Sequence, residues 1–212
     1  MLVLSLALVL VVAAVVVNGT LATPSQRWPR SDHFDGERFH NLQPLRRAQA
    51  RSEQPRGGFI RWMLTRQRGP WREEPDASPG PPPPRRVGPG ELRVTFVNHA
   101  TVLIQMDGFN VLTDPIWSER CSPVSWAGPK RARPPGIRWE DLPPIDAVLI
   151  SHNHYDHLDA ATLQRLARDH RPRIYTALGN GPLLRSRGIP VTAELDWWQG
   201  ADLGPGLKLT SV

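Results

Sequence analysis

The chain has 212 residues, 40% of them hydrophobic, enough for one domain with a proper core or one domain plus extensions. Lys and Arg number 26 against 20 Asp and Glu, a formal charge of +6, and nearly all the basic residues are arginine. The basic excess lies mostly between Arg27 and Arg86, outside the part that reads as folded, so it points to a solvated or membrane-facing extension and away from nucleic acid. A single cysteine, Cys121, excludes an intrachain disulfide framework in any compartment.

In chain order, Leu2 to Val17 is an apolar run followed by Asn18-Gly19-Thr20. It is short for a membrane span of ~20 residues and long for a signal core of ~7–15. Thr20-Leu21-Ala22 offers a cleavage site, but no basic residue precedes the core, so residues 1–22 read as an uncleaved anchor ahead of a cleaved signal. Membrane association through this segment is the expectation. Arg27 and Arg30 favour a cytoplasmic C-terminal side only if this is the true start. Residues 23–90 form a basic, Pro-rich extension that closes on Pro81 to Pro84, an extended run without amide donors that reads as a spacer. Within it, residues 32–39 look less like linker and more like an arm able to dock. A domain boundary falls near Gly90.

From Glu91 the pattern changes. Leu92 to Val97 alternates like a strand, Thr101 to Met106 follows at hairpin spacing, and Asp107-Gly108 supplies a turn. Asn110 to Thr113 then runs into Asp114-Pro115. After a Pro/Trp-rich loop, Ile145 to Ile150 is a short apolar strand. Asp159 can cap a helix running to about His170, with Leu158, Leu163, Leu166 and Ala167 on one face and Pro172 closing it. Ile174-Tyr175, Val191-Thr192 and Leu207 to Val212 predict further strands. The class is mixed α/β.

Between the apolar strand and the capped helix stands Ser151-His152-Asn153-His154-Tyr155-Asp156-His157-Leu158-Asp159. His152 and His154, two apart in extended chain, fall on one face and can reach a single ion at ~2.0–2.1 Å. Asp156 and His157 come as the chain turns and can reach a second ion. Two cations ~3.5–4 Å apart suit hydrolysis, because a water between them ionises near neutral pH. Oxygen and imidazole donors suit Zn, with Mn or Fe as alternatives. His99 falls near the rim of such a site, whereas His33, His40 and His170 read as solvated.

The motif His-x-His-x-Asp-His, present as His152 to His157, resembles the signature of the metallo-β-lactamase superfamily. Residues 94–115, Gly128-Pro129-Lys130-Arg131, Leu178-Gly179-Asn180 and Glu194-Leu195-Asp196-Trp197-Trp198 resemble the branch containing N-acyl-phosphatidylethanolamine phospholipase D and sugar-phosphate lactonases. Asp32-His33-Phe34-Asp35-Gly36 resembles bacterial members of that branch. The resemblance implies an αββα sandwich with His152 and His154 on the first ion and Asp156 and His157 on the second. It also implies Asp156 as a catalytic-site residue and Asp114 as an acidic group beneath the site that orients ligands. The family's later ligands have no counterpart before Val212, so residues 91–212 read as the first half-domain of a longer protein. As written, the chain is expected to bind metal weakly, leave apolar sheet surface uncovered and lack full activity. The implied function is a two-metal hydrolase acting on phospholipid or another small phosphate-containing substrate. The alternatives are a sugar-phosphate lactonase or a membrane-tethered relic without catalysis.

Overall fold

A computed structural model describes residues 27–42, 58–67, 69, 72–204 and 206–212. The chain divides into two compact units, one at 26–73 and one holding 74–212. In the smaller unit Phe34 pairs with Phe39 across a tight turn, and their rings lie 4.5 Å apart. Asp35 closes that turn by accepting from the Glu37 and Arg38 amides, and His40 Nε2 meets its other oxygen at 2.7 Å. Gly36, at φ 101°, takes the left-handed position the turn requires. Helix α1, Gly58–Thr65, completes what is described of this unit. His33 is buried and bonded to Asp32 at 2.5 Å, so its reading as a solvated side chain was wrong.

The larger unit is built on β1 (Leu92–Asn98), β2 (Thr101–Met106), β3 (Phe109–Thr113) and β4 (Ala147–Ile150). Helix α2 (Ala160–Asp169), β5 (Arg173–Ala177), helix α3 (Gly181–Ser186) and β6 (Ala193–Leu195) follow. These six strands make one sheet in chain order, antiparallel through β3 and parallel from β3 to β6. A hairpin of β7 (Gly200–Gly204) and β8 (Leu207–Thr210) forms a second, two-stranded sheet. The mixed α/β class expected from the sequence is the class observed.

Alternation along the strands builds two cores. On one face Leu103, Leu112, Val148, Ile150 and Ile174 pack with Leu163 and Leu166 of α2 and Leu183 and Leu184 of α3. On the other face Val111, Ala147 and Tyr175 pack with Leu203, flanked by Leu207 and Leu209 of the hairpin. Beyond that cover, Leu92, Val94 and Phe96 of edge strand β1 stand 63%, 60% and 66% exposed.

The Pro-rich run read as a spacer lies against this unit. Gln105 Nε2 donates to the Pro84 carbonyl, and Asn110 Nδ2 to those of Arg85 and Pro144. Arg86 forms a two-point ion pair with Asp146, which sits just before β4. Residues 72–90 have no helix or strand of their own. Among the described residues no helix is long and apolar enough to cross a membrane, and Leu2 to Val17 lies outside those residues.

Candidate metal centre

The parallel pair β3–β4 places two turns at one sheet edge: Asp114-Pro115 after β3, and the histidine-rich segment after β4. Open parallel sheets present ligand sites beyond such carboxyl ends. Asp114 takes a left-handed backbone (φ 36°), and its amide donates to the Leu149 carbonyl, locking the first turn to the second strand. Its buried carboxylate accepts from the Ser151 amide at 2.8 Å, the Ser151 hydroxyl at 2.7 Å and His157 Nδ1 at 2.9 Å. A buried carboxylate is tolerable only when so satisfied.

Past Ser151 the chain coils. The His154 carbonyl accepts from the amides of both His157 and Leu158, and Leu158 is buried as the anchor of the loop. This bend returns the His157 ring to 4.0 Å from His152, whose ring lies 4.6 Å from His154. Asp159 then caps α2 through the Thr162 amide and also accepts from the Ser118 amide and hydroxyl, both at 2.9 Å. Both ends of the loop are therefore fixed.

With Nδ1 of His157 bonded to Asp114, its Nε2 is left to face outward, 3.7 Å from Asp156 Oδ2. That same oxygen lies 3.0 Å from Nε2 of His99, which comes from the β1–β2 turn. Donor atoms of His99, Asp156 and His157 lie within 4.8 Å of one another, a group able to hold a metal ion. Imidazole and carboxylate donors together fit a divalent cation of the Zn, Mn or Fe kind. Burial, with the neighbouring His157 and His154, holds the His152 imidazole below its ordinary value, which favours the neutral form a ligand needs. For Asp156 burial works upward, but its own amide, His157 and the His99 hydrogen bond together hold it below the usual carboxylate range.

Every side chain expected at the site thus lies on this loop or against it. His152, His154 and His157 cluster by their rings, while Asp156 faces His99 and His157. His99, placed at the rim by the sequence, is bonded directly to Asp156. Ser151 was missed as more than a motif letter. Its hydroxyl joins the Asp114 carboxylate to His152 Nδ1 at 2.9 Å, and a hydroxyl between a strand end and the first histidine is the signal that could have marked it. His170 is half-buried at the far end of α2, its ring 5.9 Å from Trp139, and is not solvated as read.

The Pro/Trp-rich loop forms a wall beside the site. The Arg131 guanidinium donates to the Ser118 and Ile116 carbonyls, and the Trp117 amide to Thr162 Oγ1. A cavity of about 480 Å³ lies between this loop and the start of α2, lined by Glu119, Arg120, Tyr155, Asp159, Gln164 and Arg187 among others.

Residues 109–212 match the β-lactamase superfamily domain. An uncharacterized protein of Mycobacterium tuberculosis is 38% identical over 176 residues, covering 82% of this chain and 47% of the relative. The N-acyl-phosphatidylethanolamine-hydrolyzing phospholipase D 1 of Caenorhabditis elegans is 40% identical over 128 residues, 57% of this chain and 36% of the relative. A metal-dependent hydrolase of Anaeromyxobacter is 32% identical over 102 residues, 48% of this chain and 32% of the relative. The chain spans about half the length, or less, of these curated relatives. The domain match, these relatives and the histidine-rich loop at the carboxyl end of β4 agree: the chain belongs to the metallo-β-lactamase superfamily.

Proposed function

We propose that the protein is a metal-dependent phosphodiesterase acting on a phospholipid of the N-acyl-phosphatidylethanolamine kind. The observation that carries this reading is the His152-x-His154-x-Asp156-His157 loop, held at a sheet edge with Asp114 beneath it. His152 and His154 would hold one divalent cation, and Asp156 and His157 a second, zinc being the ion best suited to the donors. Bound there, the pair would supply Lewis acidity toward a phosphoryl group and lower the pKa of a water. Asp114 and Ser151 orient the imidazoles and select their tautomers, a role that outer groups play at metal sites generally.

Similarity to the phospholipase D of Caenorhabditis elegans supports the lipid substrate. The apolar Leu2 to Val17 run supports an enzyme held against a membrane, and a soluble sugar substrate would give no reason for one.

The test is turnover by the full reading frame containing this chain, on a bis-aryl phosphodiester and on N-acyl phospholipid vesicles, with added Zn or Mn. His154→Ala and Asp156→Asn should each lower turnover more than ~100-fold with the fold retained, since both side chains lie outside the core. Full activity in Asp156→Asn defeats the two-metal reading. Hydrolysis of a phosphorylated sugar lactone without diester turnover transfers the assignment to the lactonase alternative.

A further inference from the structure

His99 is supplied by a different element from the histidine-rich loop, yet the fold brings the two together. It sits in the turn between β1 and β2 with φ 38°, a left-handed backbone that few non-glycine residues adopt. Such conformations persist where the surroundings over-determine them. Here Asn98 Nδ2 donates to the Ile116 carbonyl at 3.0 Å, Thr101 Oγ1 to the Asp114 carbonyl at 2.6 Å, and Thr113 Oγ1 to the Ala100 carbonyl at 2.8 Å. The turn is thereby tied to the same Asp114 segment that holds His157. Its imidazole is more than half exposed, so core packing does not account for its place.

The distances approach the scale of a coordination shell, one within it and one a few tenths of an ångström beyond. Asp156 Oδ2 is 3.0 Å from His99 Nε2 and 3.7 Å from His157 Nε2. Donors bound to one cation at ~2.0–2.1 Å sit about 2.9–3.4 Å from each other. Among the described residues this is the one group of three or more His, Cys, Asp or Glu whose donor atoms all lie within 4.8 Å of one another. His152 and His154, although their rings cluster, are not in it.

We propose that His99 is a metal ligand, the third protein donor beside Asp156 and His157 on one divalent cation. The inference rests on the metal-site reading given above and adds a donor that the loop motif does not contain. The cation then bridges the β1–β2 turn and the β4–α2 loop, so binding it clamps two separate segments of the sheet edge.

The full chain, stripped with a chelator, is titrated with zinc against a chromophoric competitor, as wild type, His99→Asn and Asp156→Asn. Asparagine accepts the left-handed backbone, so the variant keeps the turn, which circular dichroism and the thermal midpoint verify. The ring-proton signal of His99, identified by its loss in His99→Asn, is followed during zinc addition to the wild type. The expected result is at least tenfold weaker zinc binding in His99→Asn and a shifted His99 signal. Wild-type affinity in His99→Asn overturns the proposal whatever the signal does. Weaker binding with an unmoved signal overturns it too, because His99 would then act only through Asp156. In either of those cases, weaker binding by Asp156→Asn leaves the metal-site reading standing. Wild-type affinity in Asp156→Asn removes that reading itself.

Discussion

Asp114 shows how much can rest on one carboxylate. Its left-handed turn, its three donors and its burial fix Ser151 and His157 before any ligand arrives. The acceptor strength of that carboxylate sets which nitrogen of His157 carries the proton, and so which one is free to ligate. Asp114→Asn keeps the shape and tolerates the backbone, but replaces a charged two-oxygen acceptor with a neutral amide. Zinc affinity is therefore expected to fall ~10–100-fold, the usual effect of losing an outer hydrogen-bond partner at a metal site. A competition titration measures it, and unchanged affinity would mean that Asp114 serves the fold alone. The family resemblance marks Asp114, at the end of a strand, but Ser151 and the contact of His99 with Asp156 depend on turns separated by long stretches of chain. No local pattern encodes those.

The elements differ in how plainly they can be read. Strands β1 and β2 show the alternation of half-buried sheet and α2 the period of an amphipathic helix, and they form where those patterns predict; β4, read from its apolar run at Ile145–Ile150, forms at Ala147–Ile150. Helix α3 was not expected, since Gly181-Pro182 opens a segment too short for its period to declare itself. Strand β7, Gly-Ala-Asp-Leu-Gly, lacks the branched residues that advertise a strand and is held by pairing with β8. Strand β6 forms at Ala193–Leu195, later than the Val191-Thr192 expected, because Glu194 is positioned by its partners. Its Oε1 accepts from the Gly179 and Gly181 amides, both at 2.9 Å, and its Oε2 from Arg185. Two motifs that look separate in sequence, around Gly179 and around Trp197, are thus one unit joined by this carboxylate. A methyl group on Gly181 would collide with the Glu194 carboxylate, so Gly181→Ala must displace that carboxylate and strand the two amides bonded to it. A loss of about 1–3 kcal/mol in urea unfolding is expected. A wild-type midpoint would show that the loop relaxes freely.

At the scale of the whole molecule, the sheet is covered on one face by α2 and α3 and only partly on the other by the β7–β8 hairpin. The class of fold could be read because strand and helix periods alternate in sequence order. The lacing of the Pro-rich run onto β2 and β3 could not, because prolines signal extended chain without saying what it lies on. Acid stability follows from how the far end of α2 meets the sheet. His170 caps α2, its ring stands against Trp139, and its Nδ1 accepts from the Ile145 amide just before β4. An accepting nitrogen cannot carry a proton, and burial likewise holds the imidazole below its ordinary value, with Asp169 opposing only in part. The folded pKa is thus lower than the unfolded one near ~6.5, and below that pH the unfolded chain binds more protons. Stability from this group is complete above the unfolded value and is lost as pH falls toward the folded one. His170→Asn offers an amide oxygen to Ile145 and has no proton to gain. Its thermal midpoint is expected to fall less than that of the wild type between pH 7 and about 5.5. His152, also held low, contributes the same slope to both proteins, so the difference isolates His170. Scanning fluorimetry at fixed ionic strength reads it directly, and parallel acid profiles would show that the α2 terminus does not sense protons.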